Sequence, residues 1–254
     1  MSAASNDILL GLDGAPLGLP FLSKALTELD GRGRAVTSVE VVSGSEKNFP
    51  TSHSAILSLS CGDGGASTPL FVKKVSAEAM KHKAWQDRRR TLAYSRTEMR
   101  FYREFASTLS ARGVCLPRLA ATMDLLGPLL GNSEVADPPG DEPPAHVLAH
   151  GGGLLLIECA SPTLTQCSPI SFAQAGDALA CVARLHAAAW ADVPLLSSAA
   201  ARLQRFGGSF SLRCCLCCVL GGRGGEGGGG GGRVVERKGF HLVAFLVLYQ
   251  GLEF

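Results

Sequence analysis

The chain has almost no net charge: 24 Lys and Arg stand against 22 Asp and Glu, a formal +2 over 254 residues. That balance supplies no general attraction to nucleic acid or to an anionic membrane. Long apolar runs are also lacking. Leu242 to Tyr249 comes nearest and falls well short of the roughly 20 residues a membrane-spanning helix needs. It reads as a strand or a piece of buried helix, and no membrane span is expected. The opening MSAASNDILLGLDGAPLG has no basic start and carries Asp7 and Asp13, so a secretory signal is not expected either. A further scarcity matters for chemistry. No Asn follows Asn132, and no Asp follows Asp192.

What is present suits a folded domain. Apolar residues make up 46% of the chain, ample for a buried core. Of nine cysteines, Cys61, Cys115, Cys159, Cys167 and Cys181 are scattered singly, while Cys214, Cys215, Cys217 and Cys218 crowd together. Scattered cysteines without a signal sequence read as reduced, buried thiols, and a cytoplasmic location is the default expectation.

Along the chain, residues 1–34 read as a lead-in with a short helix over Phe21–Leu29, stopped by Gly31 and Gly33. Three β-like runs follow, Ala35–Val42, His53–Ser60 and Leu70–Val75, and predict an antiparallel meander. KHKAWQDRRR at 81–90 reads as a charged connection into a helix over about Leu92–Leu109. Residues 127–153, rich in Pro, Gly and acid, are expected as an exposed loop before a strand at Leu154–Ile157. Ser171 with Gln174 forms a capping box for a long helix. Its stripe runs Phe172, Ala175, Leu179, Val182, His186, and its poverty in charge predicts burial on nearly every side. His186 on that stripe reads as a core histidine. Residues 161–200 thus form a helical segment, and 201–254 a Cys/Gly-rich tail outside the fold, with ten glycines between Gly221 and Gly232.

The chemistry-bearing residues begin with the third run. Alternation sends Phe71, Lys73 and Val75 to one face and Val72 and Lys74 to the other. A lysine in an apolar strand either reaches a ligand or edges a solvated sheet, and the strand leaves both readings open. Ser43–Phe49, with Gly44 and Ser45, could form a turn whose amides cap phosphates, although such Ser/Gly turns are common.

Thr68–Val75, followed by E-x-x-F-Y at Glu98–Tyr102, resembles the choline-kinase-like and ecdysteroid-kinase-like branch of the aminoglycoside phosphotransferase family. Gly113–Arg118 is similar to that family's approach to its fourth strand. Leu154–Cys159 is similar to its hinge strand, with Glu-Cys where Glu-Asp is common. Ala183–Trp190 is similar to its LA-x-LHA-x-W helix end. The resemblance spans about residues 35–192 and implies an α+β, protein-kinase-like fold: an antiparallel-sheet N-lobe with its hinge at 35–160, then the start of a helical C-lobe. It also implies that Lys73 contacts ATP phosphates, that Glu98 holds Lys73, and that Glu158, Cys159 and Ala160 line the adenine pocket, with Gly44 and Ser45 near the phosphates. The partners implied are a nucleotide and a small-molecule acceptor bearing a hydroxyl or amino group. If exposed, the Lys73–Glu98 pair would be worth only about 0–1 kcal/mol and would serve placement of the amine.

Half of the implied site is missing from this chain. The family follows its LHA-x-W helix with H-G-D-x-x-x-x-N and a metal-binding Asp, whereas residues 193–254 hold neither Asp nor Asn, and His241 precedes Leu-Val. No catalytic residue is therefore assigned, and ligands for Mg²⁺ are lacking. Four thiols within Cys214–Cys218 suit a single tetrahedral ion poorly, so no metal site is expected there. The expectation is a phosphotransferase by descent that is inactive in this form, the tail arising from truncation, splicing or a shifted frame. The alternatives are a non-catalytic pseudokinase module, and a generic α+β binding protein with an accidental likeness.

Overall fold

Alternating residues in HSAILSLSC at 53–61 and TPLFVKKVS at 68–76 make two adjacent strands whose inward positions are almost all apolar. A computed structural model describes residues 8–9, 11–12, 16–49, 51–130, 141–159 and 172–203. In chain order the elements are α1 (Leu19–Asp30), β1 (Val36–Val41), β2 (Lys47–Asn48), β3 (His53–Cys61), β4 (Thr68–Ser76), α2 (Trp85–Glu104), α3 (Ala106–Ala111), β5 (Leu119–Asp124), α4 (Gly127–Leu130), α5 (Ala145–His150), β6 (Gly152–Glu158), α6 (Phe172–Ala189) and α7 (Val193–Arg202). The class is α+β, with a six-stranded, wholly antiparallel sheet in the order β1-β3-β4-β6-β5 and β2 paired to β3. The meander expected at 35–75 is present as β1, β3 and β4.

Each sheet face carries its own core. On one face Ala55, Leu57, Leu70, Val72, Leu154 and Leu156 pack against Leu22, Ala25, Leu26 and Leu29 of α1. Leu22 and Leu26 are fully buried, each worth roughly 1.5–3 kcal/mol of burial. Pro20 opens α1, where a missing N–H costs nothing, and Gly31 closes it with a left-handed φ of 69°. On the other face Val75, Leu155 and Ile157 pack against α2 through Leu92, Met99 and Phe101.

Several expectations are corrected. α2 begins at Trp85 rather than Leu92, so much of the supposed charged connection is helix. The reason is that Trp85 and Arg88 are buried, with the Arg88 guanidinium 5.8 Å from the Trp85 ring and paired to Glu142. The chain breaks at Phe105 before resuming as α3. Of the loop expected at 127–153, residues 131–140 lie outside the described residues and 141–144 form neither helix nor strand, while its two ends form α4, α5 and the start of β6, because Leu126, Leu129, Leu130 and Leu148 are drawn into the core.

α6 is less enclosed than its composition predicts. Leu179 is 63% exposed, while Leu185 and Ala189 near the C-terminal end are buried against the core and His186 is half-buried. α6 is in contact with α3. Arg112 of the α3 C-cap donates to the Ala188 carbonyl at 2.7 Å and to Asp192 at 2.5 Å. Asp192 in turn accepts from the Leu195 N–H at 2.9 Å and caps α7. The far end of α7 is held by Arg202, which makes two bonds to Glu104 at 2.9 and 3.0 Å.

Among the described residues no single helix is long and apolar enough to cross a membrane. Ala160, Cys167, Ser171, the Cys214–Cys218 cluster, the Gly221–Gly232 run and Leu242–Tyr249 lie outside the described residues, as do the side chains of the predicted Phe172 and Gln174 contacts.

Candidate functional site

β4 lies between β3 and β6, so neither of its lysines edges the sheet. The two alternate as the sequence predicts. Lys74 stands opposite His53 and Leu154 on the α1 face and is buried. Lys73 stands opposite Ser54 and Leu155 on the α2 face. There its Nζ lies 3.1 Å from Oε2 and 3.4 Å from Oε1 of Glu98.

Glu98 reaches Lys73 because the residues after it anchor the helix. Phe101 and Tyr102 follow at i+3 and i+4, share its side of α2, and are 1% and 2% exposed. Their rings meet edge to face at 5.6 Å. The helix can lie this close to β6 because Gly153 presents no side chain. A Cβ on Gly153 would sit 2.6 Å from the Ser95 hydroxyl and 2.7 Å from the Met99 methyl. The side chains of Lys73 and Glu98 are only 12% and 13% exposed. The pair is therefore not the exposed one for which a value near zero applies. Removing either partner strands a charge with little access to water.

Gly44 and Ser45 do not form the hairpin tip. Val42 accepts from the Ser45 N–H at 3.1 Å in a tight turn, with Gly44 at φ 76°, a conformation that favours glycine. The Ser45 hydroxyl donates to the Val42 carbonyl at 2.6 Å and accepts from the Ile56 N–H at 3.0 Å. This stitches a bulge between β1 and β2 onto β3. The tip itself falls at 49–52, where the Phe49 N–H donates to the Ser52 carbonyl at 2.9 Å.

Glu158 stands opposite Leu70, hence on the α1 face, away from Lys73. Its carboxylate takes two bonds from the Arg118 guanidinium, at 2.9 and 3.1 Å, while Arg118 also donates to the Leu29 carbonyl at 2.5 Å. Arg118 holds the Glu158 carboxyl below the usual glutamate range. The Glu158 side chain thus ties the end of α1 to β6. Cys159 follows it, and burial pushes its thiol up from the ordinary cysteine range.

Beside the ion pair, half of this face is uncovered by any described helix. α2 packs over β4, β5 and β6. The β1–β3 half carries exposed Ser38, Glu40 and Val42 with half-buried Ile56, Ser58 and Phe71. An open, partly apolar floor thus adjoins a buried cation and the tip of a hairpin. A narrow crevice between α3 and α7, lined by Phe105, Leu109, Leu195 and Ala199, holds no titratable group and offers no chemistry. Among the described residues no three His, Cys, Asp or Glu side chains cluster as metal ligands.

No protein-family model, curated protein sequence or solved structure matches the chain. Sequence reasoning found Lys73 and Glu98, and passed over Lys47, Ser54 and Arg118. The first two were legible only through strand register. Arg118 could have been flagged as a basic residue one position outside a strand whose neighbour ends in Glu158.

Proposed function

We propose that this chain carries the nucleotide-binding part of a kinase-like phosphotransferase and binds ATP or ADP without transferring phosphate itself. The observation that carries this reading is the Lys73–Glu98 pair, held between a central strand and the following helix beside an open sheet face. A strand lysine held by a helix glutamate is how kinase-like folds present an amine to phosphates. The adenine would lie on the floor around Phe71 and Ile56, against backbone at 158–159, since the Glu158 side chain faces away.

Transfer is not assigned, because phosphoryl transfer needs a carboxylate at the attacking hydroxyl and ligands for Mg²⁺. Residues 193–254 contain no Asp or Asn. That composition favours a second reading, a pseudokinase module that works by binding nucleotide or a protein. A cDNA running from Trp190 into His-Gly-Asp and a downstream Asn would identify an active relative form and displace it.

The direct test is thermal unfolding of the chain with ATP or ADP. A ligand at 100 times its Kd stabilises by about 2.7 kcal/mol. The expected result is a rise in Tm that is lost in Lys73→Met and Glu98→Gln, with no ADP released from ATP. No rise at millimolar nucleotide, or an equal rise in both variants, would overturn the nucleotide-binding reading.

A further inference from the structure

The strand register places a second lysine on the floor of this site. Lys47 pairs with Ser54, and Ser54 pairs with Lys73, so all three side chains stand in one row on the same face. Two strand spacings separate the lysine backbones by about 9–10 Å, within the joint reach of two extended lysine side chains. Lys47 is exposed and makes no ion pair with a described residue. Between the lysines, Ser54 is 5% exposed, and its hydroxyl makes no hydrogen bond to a described residue.

The nearby acids do not neutralise this row. Glu46, next to Lys47, is directed to His53 on the opposite face, with 3.7 Å between Oε1 and Nε2. Glu40 is on the same face, but its partner Ser58 lies four residues along β3 from Ser54, about 13 Å away. Glu98 is engaged with Lys73.

We infer that Lys47, Ser54 and Lys73 form a seat for two or more linked phosphate groups, so that the site selects nucleoside di- and triphosphates over monophosphates. The inference rests on the nucleotide-binding reading for the position of the base, while the seat itself needs only the row of side chains. One lysine held by Glu98 has little net charge to offer an anion. A second, unpaired lysine supplies it, and the Ser54 hydroxyl between them donates to a bridging oxygen.

The experiment measures binding of ATP, ADP, AMP, adenosine and inorganic tripolyphosphate by calorimetry, with the full chain and with Lys47→Gln. Lys47 is exposed, so the variant keeps the fold. The expected result is that ATP and ADP bind at least ten times more tightly than AMP. Lys47→Gln should lose five- to tenfold for ATP and tripolyphosphate and leave adenosine unchanged. ATP binding that Lys47→Gln does not alter would overturn the inference and leave the nucleotide-binding reading standing. Tripolyphosphate binding weakened by Lys47→Gln, without any binding of adenosine or gain from the base, would uphold the phosphate seat and remove the nucleotide reading. No binding of ATP or tripolyphosphate would remove both.

Discussion

A Cβ atom on Gly152 would lie 2.4 Å from the Val75 carbonyl oxygen on the neighbouring strand. That contact brings β6 against β4 where the strand carrying Lys73 ends. At Gly153, one residue on, the atoms in the way are the Ser95 hydroxyl and the Met99 methyl, both ends of side chains that can turn aside. Gly152→Ala should therefore cost about 1–3 kcal/mol by forcing backbone apart, and Gly153→Ala less. Urea denaturation of the two variants checks the order, which reverses if the helix rather than the strand is the rigid partner.

The Lys73–Glu98 pair gives a second prediction. With both side chains nearly buried, Lys73→Met and Glu98→Gln should each cost about 1–3 kcal/mol through the group left behind. The double replacement should cost less than the sum, by at least about 0.5 kcal/mol. A double-mutant cycle in urea measures the coupling. Strict additivity would show that the two groups do not interact in solution.

Ala191, between α6 and α7, has φ of 58°, the left-handed region that an L side chain resists. Ala191→Gly should stabilise by up to about 1 kcal/mol, the relief of strain being partly offset by the greater freedom of glycine when unfolded. Thermal melting of the variant reads this as a small rise in Tm.

Acid should loosen α7 first. Arg202 holds the Glu104 carboxyl below its ordinary range, and the Leu195 N–H together with Arg112 does the same to Asp192. A carboxylate with a lowered folded pKa contributes stability that is fully present above its unfolded value, about 4.3 for Glu and 3.9 for Asp. That stability is lost as pH falls through the lowered folded value. Stability should thus be flat from pH 7 to about 5 and fall below about 4. Glu104→Gln should flatten that fall, as measured by denaturation midpoints from pH 3 to 7.

Much of the site is legible in the amino-acid sequence. Period-two alternation puts Lys73 and Lys74 on opposite faces, and E-x-x-F-Y puts Glu98 one turn ahead of two apolar anchors, because each pattern is a local property of strand or helix. The α4–α5 segment is not legible. The two helical ends read as part of a Pro- and Gly-rich loop, and only contact with the core turns Leu129, Leu130 and Leu148 into helix. The bulge at Ser45 is hidden from sequence reasoning for a related reason. A bulge that closes on Ile56 depends on a strand partner that local spacing does not reveal.

By itself the sequence determined the meander, the helix after it, the candidate cation and its carboxylate partner, and the absence of Asp and Asn beyond Asp192. Tertiary structure alone decided which of the two lysines meets Glu98, because alternation defines two faces without saying which one a helix will cover. It also decided that the pair is buried, that Glu158 faces α1, and that Lys47 shares a row with Ser54 and Lys73. Each of these depends on register between strands, and register is set by turns, bulges and the burial of one face against the rest of the molecule.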